Sequence, residues 1–371
     1  MFTGALTRRD GTGDGTVADA AIDGGEGTAG AVGENTRQEA AGDPGKGRQG
    51  AAAGGPPPDR LAPEWYTLSW VPEEVTRYSR VPDTLPVGSP GKVGVLDLAF
   101  ARTARRTEVS GHFQKSPLQI MRPHYYDPGR PDMAYVMLLS SGGGILQGDR
   151  YRTDVVCGPG TAVHLTTQAA TRIYRMEQDY ATQLVRLTAG PDSYLEYLPD
   201  AVIPFADSRY YQRVEVVADP SATVVIGDMV LAGRLARGER HAYTAFCGDL
   251  EVAGPDGETV FADTVRLVPG DAEVAGPAVF GDFGVMGSLF VVTGAVPASE
   301  MADALHRAVA PRAGPPDAGL RAGASVLPGE RGAWVRALGP ESPPVGRVLR
   351  AAWDAARRLV LGVPAPEPRK R

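Results

Sequence analysis

The sequence predicts a mainly β protein that ends in about two α-helices. Short runs of alternating apolar and polar residues recur between residues 91 and 267, which is the pattern of half-buried strands. Glycine and proline separate several of these runs, as expected for turns. Helical spacing of apolar residues is clear only after residue 298. This order of elements does not fit a protein built from β-α-β units.

The predicted strands are short and follow one another closely. They cover residues 91–100, 107–114, 118–122, 135–139, 151–157, 162–167, 182–188 and 194–198. Two more, 213–217 and 222–226, flank the turn Asp219-Pro220-Ser221, which predicts that they pair as a hairpin. A last strong apolar run lies within residues 280–293. No clean repeat period relates the strands, so the pattern alone does not predict a solenoid.

Two segments near the C-terminus are predicted to be helical. The first covers residues 299–310, where Ser299 can cap the helix and apolar residues fall on one face. The second begins at Ser342, which is placed at the N-cap ahead of two prolines, and ends at Gly362. One side of the second helix is apolar and consists of Val345, Leu349, Trp353, Ala356 and Val360. Near its end, Arg357 and Arg358 suit the negative pole of the helix dipole.

The chain divides into three predicted regions. Residues 1–60 hold 15 glycines and one aromatic residue, Phe2, and such a segment buries too little apolar surface to offset the entropy of ordering. We therefore expect a disordered extension, or a leader that results from an early start codon. Residues 61–363 form the predicted β-rich domain, and residues 364–371 a frayed tail.

Composition excludes several classes of protein. The net charge of −6 argues against a broad nucleic-acid surface, which requires clustered lysine and arginine. Apolar runs are shorter than a membrane span, and residues 1–10 lack the apolar core of a secretory signal. The two cysteines, Cys157 and Cys247, lie far apart in the sequence, which favours a reduced, cytoplasmic protein.

A glycine cluster at residues 140–150 first suggests a phosphate-binding loop. Gly143 and Gly148 have the required spacing, but Asp149 and Arg150 stand where such a loop needs lysine and serine or threonine. A carboxylate would repel a nucleotide, so we reject this interpretation. A tight turn with positive φ, or a close approach of backbone to another chain, remains open.

Polar residues are also dense in residues 164–175. They fit either a ladder that fixes strand register or the lining of a passage or partner surface. The histidines and cysteines lack the spacing of a zinc site. Glu196 and Asp200 lie four residues apart and are the basis of an alternative function, a β-rich hydrolase or lyase that uses them as an acid/base pair.

Four blocks, in this order and spacing, resemble the UreD family of urease accessory proteins, called UreH in some bacteria. The resemblance covers residues 91–362. The matching blocks are Gly143-Gly144-x-x-x-Gly148-Asp149, Thr166-Thr167-Gln168-Ala169-Ala170-x-x-x-Tyr174, Leu195-Glu196-Tyr197-Leu198-Pro199 and Gly233-Arg234-x-x-x-Gly238-Glu239. Ser116-Pro117-Leu118 with Arg122-Pro123, and Trp353 with Arg357 and Gly362, match early and closing elements of the family.

The resemblance implies a non-catalytic chaperone or scaffold whose β-strands stack in a helical fashion within one large domain. Proteins of this family bind the urease apoprotein subunits and the accessory protein UreF, which recruits the GTPase UreG. The assembly assists GTP-dependent insertion of nickel into the urease active site. The resemblance implies no permanently bound cofactor, only nickel in transit, and an internal passage for nickel has been proposed for such proteins. Nucleic acid and membranes are not expected partners.

Residues inside or beside the matched blocks are our candidates for the partner surface or the nickel passage. They are Asp149, Thr166, Thr167, Gln168, Arg172, Tyr174, Glu196, Asp200, Arg234 and Glu239. We expect alanine at Asp149 or Glu196 to lower urease activation while the chain stays folded. We also expect UreF to bind partly on the C-terminal helix, with Arg357 and Arg358 in the contact.

Overall fold

The computed structural model describes residues 59–80, 92–313 and 319–367. The predicted extension, residues 1–60, lies outside this described part except for its last two residues, and so do the last four residues of the predicted tail. Most of the predicted β-rich domain, residues 61–363, is described. The division of the chain into extension, domain and tail therefore stays a prediction.

The described residues form two β-sheets and four α-helices. The first sheet contains β1 (Val93–Arg102), β2 (Thr107–Lys115), β5 (Arg150–Cys157), β8 (Ala181–Ala189), β11 (Arg209–Ala218), β13 (Ala245–Ala253) and β14 (Thr259–Leu267). The second contains β3 (Leu118–Ile120), β4 (Ala134–Ser140), β6 (Ala162–Thr167), β7 (Thr171–Ile173), β9 (Tyr194–Tyr197), β10 (Val202–Pro204), β12 (Thr223–Leu231), β15 (Val285–Val292), β16 (Arg321–Val326) and β17 (Gly332–Gly339). Helices α1 (Pro63–Tyr66) and α2 (Glu73–Thr76) are single turns, whereas α3 (Ala298–Ala313) and α4 (Ser342–Leu361) are long.

The chain winds by passing back and forth between the two sheets. In the first sheet β1, β5, β8, β11 and β13 are parallel neighbours in that order, and in the second β4, β6, β9 and β12 are. Antiparallel strands complete both sheets at their ends. The expected mainly β fold of helically stacked strands, with two long helices near the C-terminus, is confirmed.

The predicted hairpin around Asp219-Pro220-Ser221 is wrong. The strands on either side exist, but β11 pairs with β8 and β13 in the first sheet and β12 pairs with β9 and β15 in the second. The turn is a corner between sheets, where the Asp219 carboxylate accepts hydrogen bonds from the backbone and hydroxyl of Ser221. The residues that favour a hairpin turn favour such a corner equally, because both reverse the chain tightly.

Two apolar cores, the largest of several buried clusters, separate the first sheet, the second sheet and the two long helices into layers. One core lies between the sheets and takes the inward-facing residues of both, such as Leu98 and Val185 from the first and Leu165 and Val224 from the second. The other core lies on the far side of the second sheet, under α3 and α4. The second sheet is thus buried on both faces, and alternate residues of each central strand point to different cores.

Both long helices lie close to their predicted positions. Helix α3 is a few residues longer than the predicted 299–310. Helix α4 begins at Ser342, but its N-cap is Glu341, so Ser342 is the first helical residue and not the cap. Gly362 ends the helix with a φ of 71°, a conformation that glycine adopts without strain. No helix in the described ranges is long and apolar enough to span a membrane.

Candidate functional site

The three sequence blocks that carry most of the candidate residues meet in space. The carbonyl oxygen of Gly143 accepts a hydrogen bond from the Tyr174 hydroxyl at 3.1 Å and a longer one from Arg172 at 3.4 Å. The ring of Tyr174 in turn packs edge-on against Phe205, with centroids 5.2 Å apart. The glycine loop, the polar block after β6 and the end of β10 therefore form one surface region.

The glycine loop owes its glycines to two different constraints. Gly148 has a φ of 76°, which identifies the tight turn that the sequence predicted. At Gly144, a Cβ atom would lie 2.6 Å from the Arg172 carbonyl oxygen, so this glycine permits a close approach of backbone within the same chain. Asp149 stabilises the loop, because its Oδ2 accepts hydrogen bonds from the Leu146 amide and the Tyr151 hydroxyl. Burial raises the pKa of this carboxyl.

A cavity of about 300 Å³ lies beside the glycine loop, and we call it the mouth cavity. Among the candidates, Thr167, Gln168 and Arg172 line it. Gln168 and Arg172 are exposed, as is the loop itself at Gly142. The mouth cavity is therefore at the protein surface.

A second, narrower cavity of about 60 Å³ continues between the two sheets, and we call it the inter-sheet cavity. It shares Thr167, Thr171, Gln183 and Tyr197 with the mouth cavity, so the two adjoin. The inter-sheet cavity is polar for a space inside a β-protein, because its lining includes the carboxylates of Asp200, Asp228, Asp249 and Asp263.

These carboxylates differ in how they are neutralised. Asp249 pairs with Arg266 at 2.8 Å, and Asp263 pairs with Arg336 at 2.7 Å. Asp228 instead accepts a hydrogen bond of 3.3 Å from the amide of Gln212. Desolvation by the surrounding protein raises the pKa of Asp228. Asp228 thus accepts this hydrogen bond from an uncharged group, and burial opposes the ionised form of its carboxyl.

Two further cavities extend this series on the helix side of the second sheet. Pro199, Asp200, Gly227 and Asp228 line both the inter-sheet cavity and a space of about 220 Å³ beside α4, which we call the helix cavity. His164 and Thr166 then join the helix cavity to a space of about 860 Å³ near Pro364–Glu367, the tail cavity. The described residues therefore enclose four adjoining cavities that run from the glycine loop to the C-terminal segment.

Glu196 does not line these cavities; it is the centre of a buried ionic network beneath α4. Its carboxylate accepts hydrogen bonds from His164 Nδ1 at 2.6 Å, Tyr194 at 2.9 Å, Trp353 Nε1 at 2.8 Å and Arg357 at 3.1 Å. Arg357 also pairs with Asp127 at 2.5 Å. The side chains of Glu196 and Arg357 are both 0% exposed.

The network holds Glu196 in its ionised form. Desolvation by itself raises the pKa of this carboxyl, but the hydrogen bond and charge of His164 and the charge of Arg357 together lower it below its usual value. His164 is fixed between two aromatic rings, with its centroid 4.9 Å from that of Tyr135 and 5.4 Å from that of Trp353. A carboxylate with four donors and no exposed surface cannot reach a substrate, so the arrangement stabilises the contact between α4 and the second sheet.

Arg357 corrects one expectation about the C-terminal helix. The sequence placed it with Arg358 on a partner-binding surface, but Arg357 points into the second core, whereas the Arg358 side chain is 60% exposed. Adjacent residues of a helix point about 100° apart, so Arg357 can face the core while Arg358 faces solvent. A charge reversal that includes Arg357 would therefore test folding and not partner binding.

The remaining candidates, Arg234 and Glu239, form an ion pair with each other across a tight turn. The guanidinium of Arg234 also lies 4.3 Å from the ring centroid of Phe205, which links this pair to Tyr174 through the same ring. The structure thus brings most of the candidates to the mouth region or the cavities behind it. Glu196 and Asp149 differ from the others, because both are buried and their hydrogen bonds stabilise the fold.

The sequence analysis missed one residue of the site and gave another a different role. Asp228 lies within the strand TVVIGDMVL. A carboxylate inside an otherwise apolar strand was the sequence signal that could have identified it. Arg357 was taken for a dipole partner because the sequence gives no sign of Glu196, 161 residues away. Across the described residues, no group of three or more His, Cys, Asp or Glu side chains is arranged to hold a metal ion.

Comparisons with known proteins agree on one family. A family model described as "UreD urease accessory protein" matches residues 92–371. A Streptomyces griseus protein named "Urease accessory protein UreD 2" is 54% identical over 292 residues, which is 78% of this chain and 98% of the relative. A Haloarcula marismortui protein named "Urease accessory protein UreD" is 40% identical over 284 residues, 76% of this chain and 92% of the relative. A Brucella suis relative, also a "UreD 2", is 38% identical over 296 residues, 79% of this chain and 96% of its own length.

Proposed function

Because the chain belongs to the UreD family of urease accessory proteins, we propose that it is a non-catalytic scaffold for urease maturation in the cytoplasm. In this role it binds the urease apoprotein subunits and UreF, and through UreF the GTPase UreG. The assembly then assists GTP-dependent insertion of nickel into the urease active site. The family and the length of the match with its members support this proposal.

The observation that carries the proposal is the series of adjoining cavities from the glycine loop to the C-terminal segment. We propose that nickel passes along part of this series, entering or leaving at the mouth cavity. Oxygen ligands along the inter-sheet cavity come from Thr167, Asp200 and Asp228. Carboxylate and hydroxyl oxygens bind Ni²⁺ less tightly than imidazole or thiolate does. A path with such ligands suits an ion that must be released at its end.

Asp228 is the residue on which this path depends most. It lines both the inter-sheet cavity and the helix cavity, so an ion that moves from one to the other passes its carboxylate. The arginine partners of Asp249 and Asp263 offset their charges. Among the described residues Asp228 forms no ion pair; it accepts a hydrogen bond from the Gln212 amide, and the more distant charge of Arg336 favours its ionised form.

The first test is co-purification of the tagged chain, co-expressed with the apo-urease subunits and a UreF protein. Retention of both partners, followed by urease activation that requires UreG, GTP and nickel, is the expected result. If a soluble, folded chain retains neither partner, the scaffold proposal is wrong. Catalytic turnover by the purified chain without partners would contradict the non-catalytic role, although the burial of Glu196 already argues against an acid/base pair of Glu196 and Asp200.

A variant separates nickel passage from partner binding. Asp228→Asn keeps the shape of the side chain and removes its charge, and it should slow nickel-dependent activation while both partners are still retained. Glu258→Gln, at an exposed position away from the cavities, is the matched control and should activate urease normally. Equal activation by the two variants would remove Asp228 from the path.

A further inference from the structure

A groove with a strong positive charge lies between α3 and α4 and shares Arg350 with the helix cavity. It encloses about 580 Å³. Its charged residues are Arg307, Arg312, Arg347, Arg350 and Arg358, with Asp354 as the single acidic side chain. This excess of positive charge stands on a chain whose net charge is −6.

The described residues neutralise this groove only in part. Arg358 pairs with Asp354 at 2.8 Å, and Arg350 donates to the Pro366 carbonyl oxygen at 3.1 Å and contacts Glu367 at 3.5 Å. Within the described ranges, Arg312 donates a hydrogen bond to the Ala308 carbonyl of its own helix and forms no ion pair. Arg307 and Arg347 are exposed and have no ion pair within the described part of the chain. Like charges held this close favour an anionic occupant.

The walls of the groove determine the shape of that occupant. Ala304 and Ala308 on α3, and Ala351 and Ala355 on α4, line it. Residues four apart lie on the same face of a helix, so each helix presents a pair of small side chains to the groove. Small residues allow the backbone of a third helix to approach closely, with long side chains on either side free to interact.

We infer that this groove binds an acidic helical segment of a protein partner, with carboxylates spaced about one turn apart. Guanidinium groups on both walls can then pair with Asp or Glu side chains on the two flanks of the bound helix. A nucleic acid fits less well, because its extended phosphate backbone would meet the net negative charge of the rest of the chain. The inference adds a partner chemistry to the proposed scaffold role.

The test uses the full chain and a fluorescent alanine-based peptide of about 20 residues with glutamate at every fourth position. Binding is measured by fluorescence anisotropy at low and high salt. We expect binding that weakens as salt rises, because exposed charges are screened. A peptide with glutamine in place of each glutamate should not bind. No urease protein or nickel is present, so this test and the scaffold test can fail independently.

Substitution of groove arginines tests whether the peptide binds in the groove. Arg307→Gln with Arg347→Gln should weaken binding on the order of tenfold, as expected for the loss of two exposed ion pairs. The matched control, Arg105→Gln with Arg122→Gln, makes the same charge change at two exposed arginines outside α3 and α4. It should stay within about twofold of the unmodified chain, since these arginines are not part of the groove lining.

Three results would overturn the inference. The glutamate peptide fails to bind the unmodified chain; the control pair weakens binding as much as the groove pair; or a short DNA duplex binds more tightly than the peptide and depends on the same arginines. Circular dichroism of each variant verifies that it is folded, and substitutions at exposed positions are expected to preserve the fold.

Discussion

Replacement of Arg357 by methionine should destabilise the protein far more than the same change at its neighbour. Methionine keeps most of the apolar stem of arginine but removes the guanidinium that pairs with Glu196 at 3.1 Å and Asp127 at 2.5 Å. Both carboxylates are buried, at 0% and 4% exposure, so the substitution leaves two buried carboxylates without the cation that they share. Loss of one partner from a buried ion pair costs about 3–5 kcal/mol.

The assay is urea and thermal unfolding, followed by circular dichroism. A loss of this size corresponds to a fall in Tm on the order of 10 °C for a domain of a few hundred residues. Arg358→Met is the matched control, because that side chain is 60% exposed and pairs only with Asp354 on its own helix. An exposed pair of this kind contributes about 0.3–0.5 kcal/mol, so the control should unfold almost as the unmodified chain does.

The double variant tests whether the effect arises from the ion pair. Glu196→Gln removes the other charge, so Arg357→Met with Glu196→Gln should be less destabilising than the sum of the two single changes. If Arg357→Met unfolds within about 1 kcal/mol of Arg358→Met, or if the two single changes simply add, the network does not hold α4 on the sheet as we argue.

Three further predictions concern other features of the fold. Gly144→Ala should destabilise the protein by about 1–3 kcal/mol, because its Cβ would meet the Arg172 carbonyl, whereas Gly270→Ala, with open space around it, should be tolerated in the same unfolding assay. The pKa of Glu196 is lowered on folding, so this ionised carboxylate stabilises the folded protein above the unfolded pKa of 4.5, and that stabilisation is lost as the pH falls. Glu196→Gln should therefore destabilise the protein less at low pH than at neutral pH. An equal loss of stability at both pH values would contradict this. Burial raises the pKa values of Cys157 and Cys247 to about 12, so iodoacetamide should label them at pH 8 only after unfolding, and rapid labelling of the native chain would refute their burial.

The strands could be predicted because alternation of apolar residues reports directly on burial. Residues 162–167 were predicted as a strand, and β6 has those same bounds. The connection between strands could not be predicted in the same way. The turn at Asp219-Pro220-Ser221 reverses the chain whether it joins two strands of one sheet or passes between two sheets, and only the packing of both cores decides.

The site was predictable to a similar degree. The motif positions placed Arg172 and Tyr174 among the candidates, and both side chains donate hydrogen bonds to the carbonyl oxygen of Gly143; whether they serve a partner surface or a nickel passage stays a prediction. The role of Glu196 was not predictable from its neighbours, because its partners come from β6 and from a helix more than 150 residues later. Sequence patterns record local periodicity, whereas a buried ion pair depends on which distant charges share a space without water.

The network under α4 also has a consequence for the order in which the protein is assembled during synthesis. Translation proceeds from the N-terminus, so Asp127 and Glu196 are made well before Arg357, which follows every strand in the described chain. Until the last helix is available, the nascent sheet has two carboxylates at an unfilled surface and lacks the arginine that pairs with both. A nascent chain that stops short of Arg357 can form its strands but cannot bury this part of the sheet, and chaperones and proteases can recognise such exposed surface.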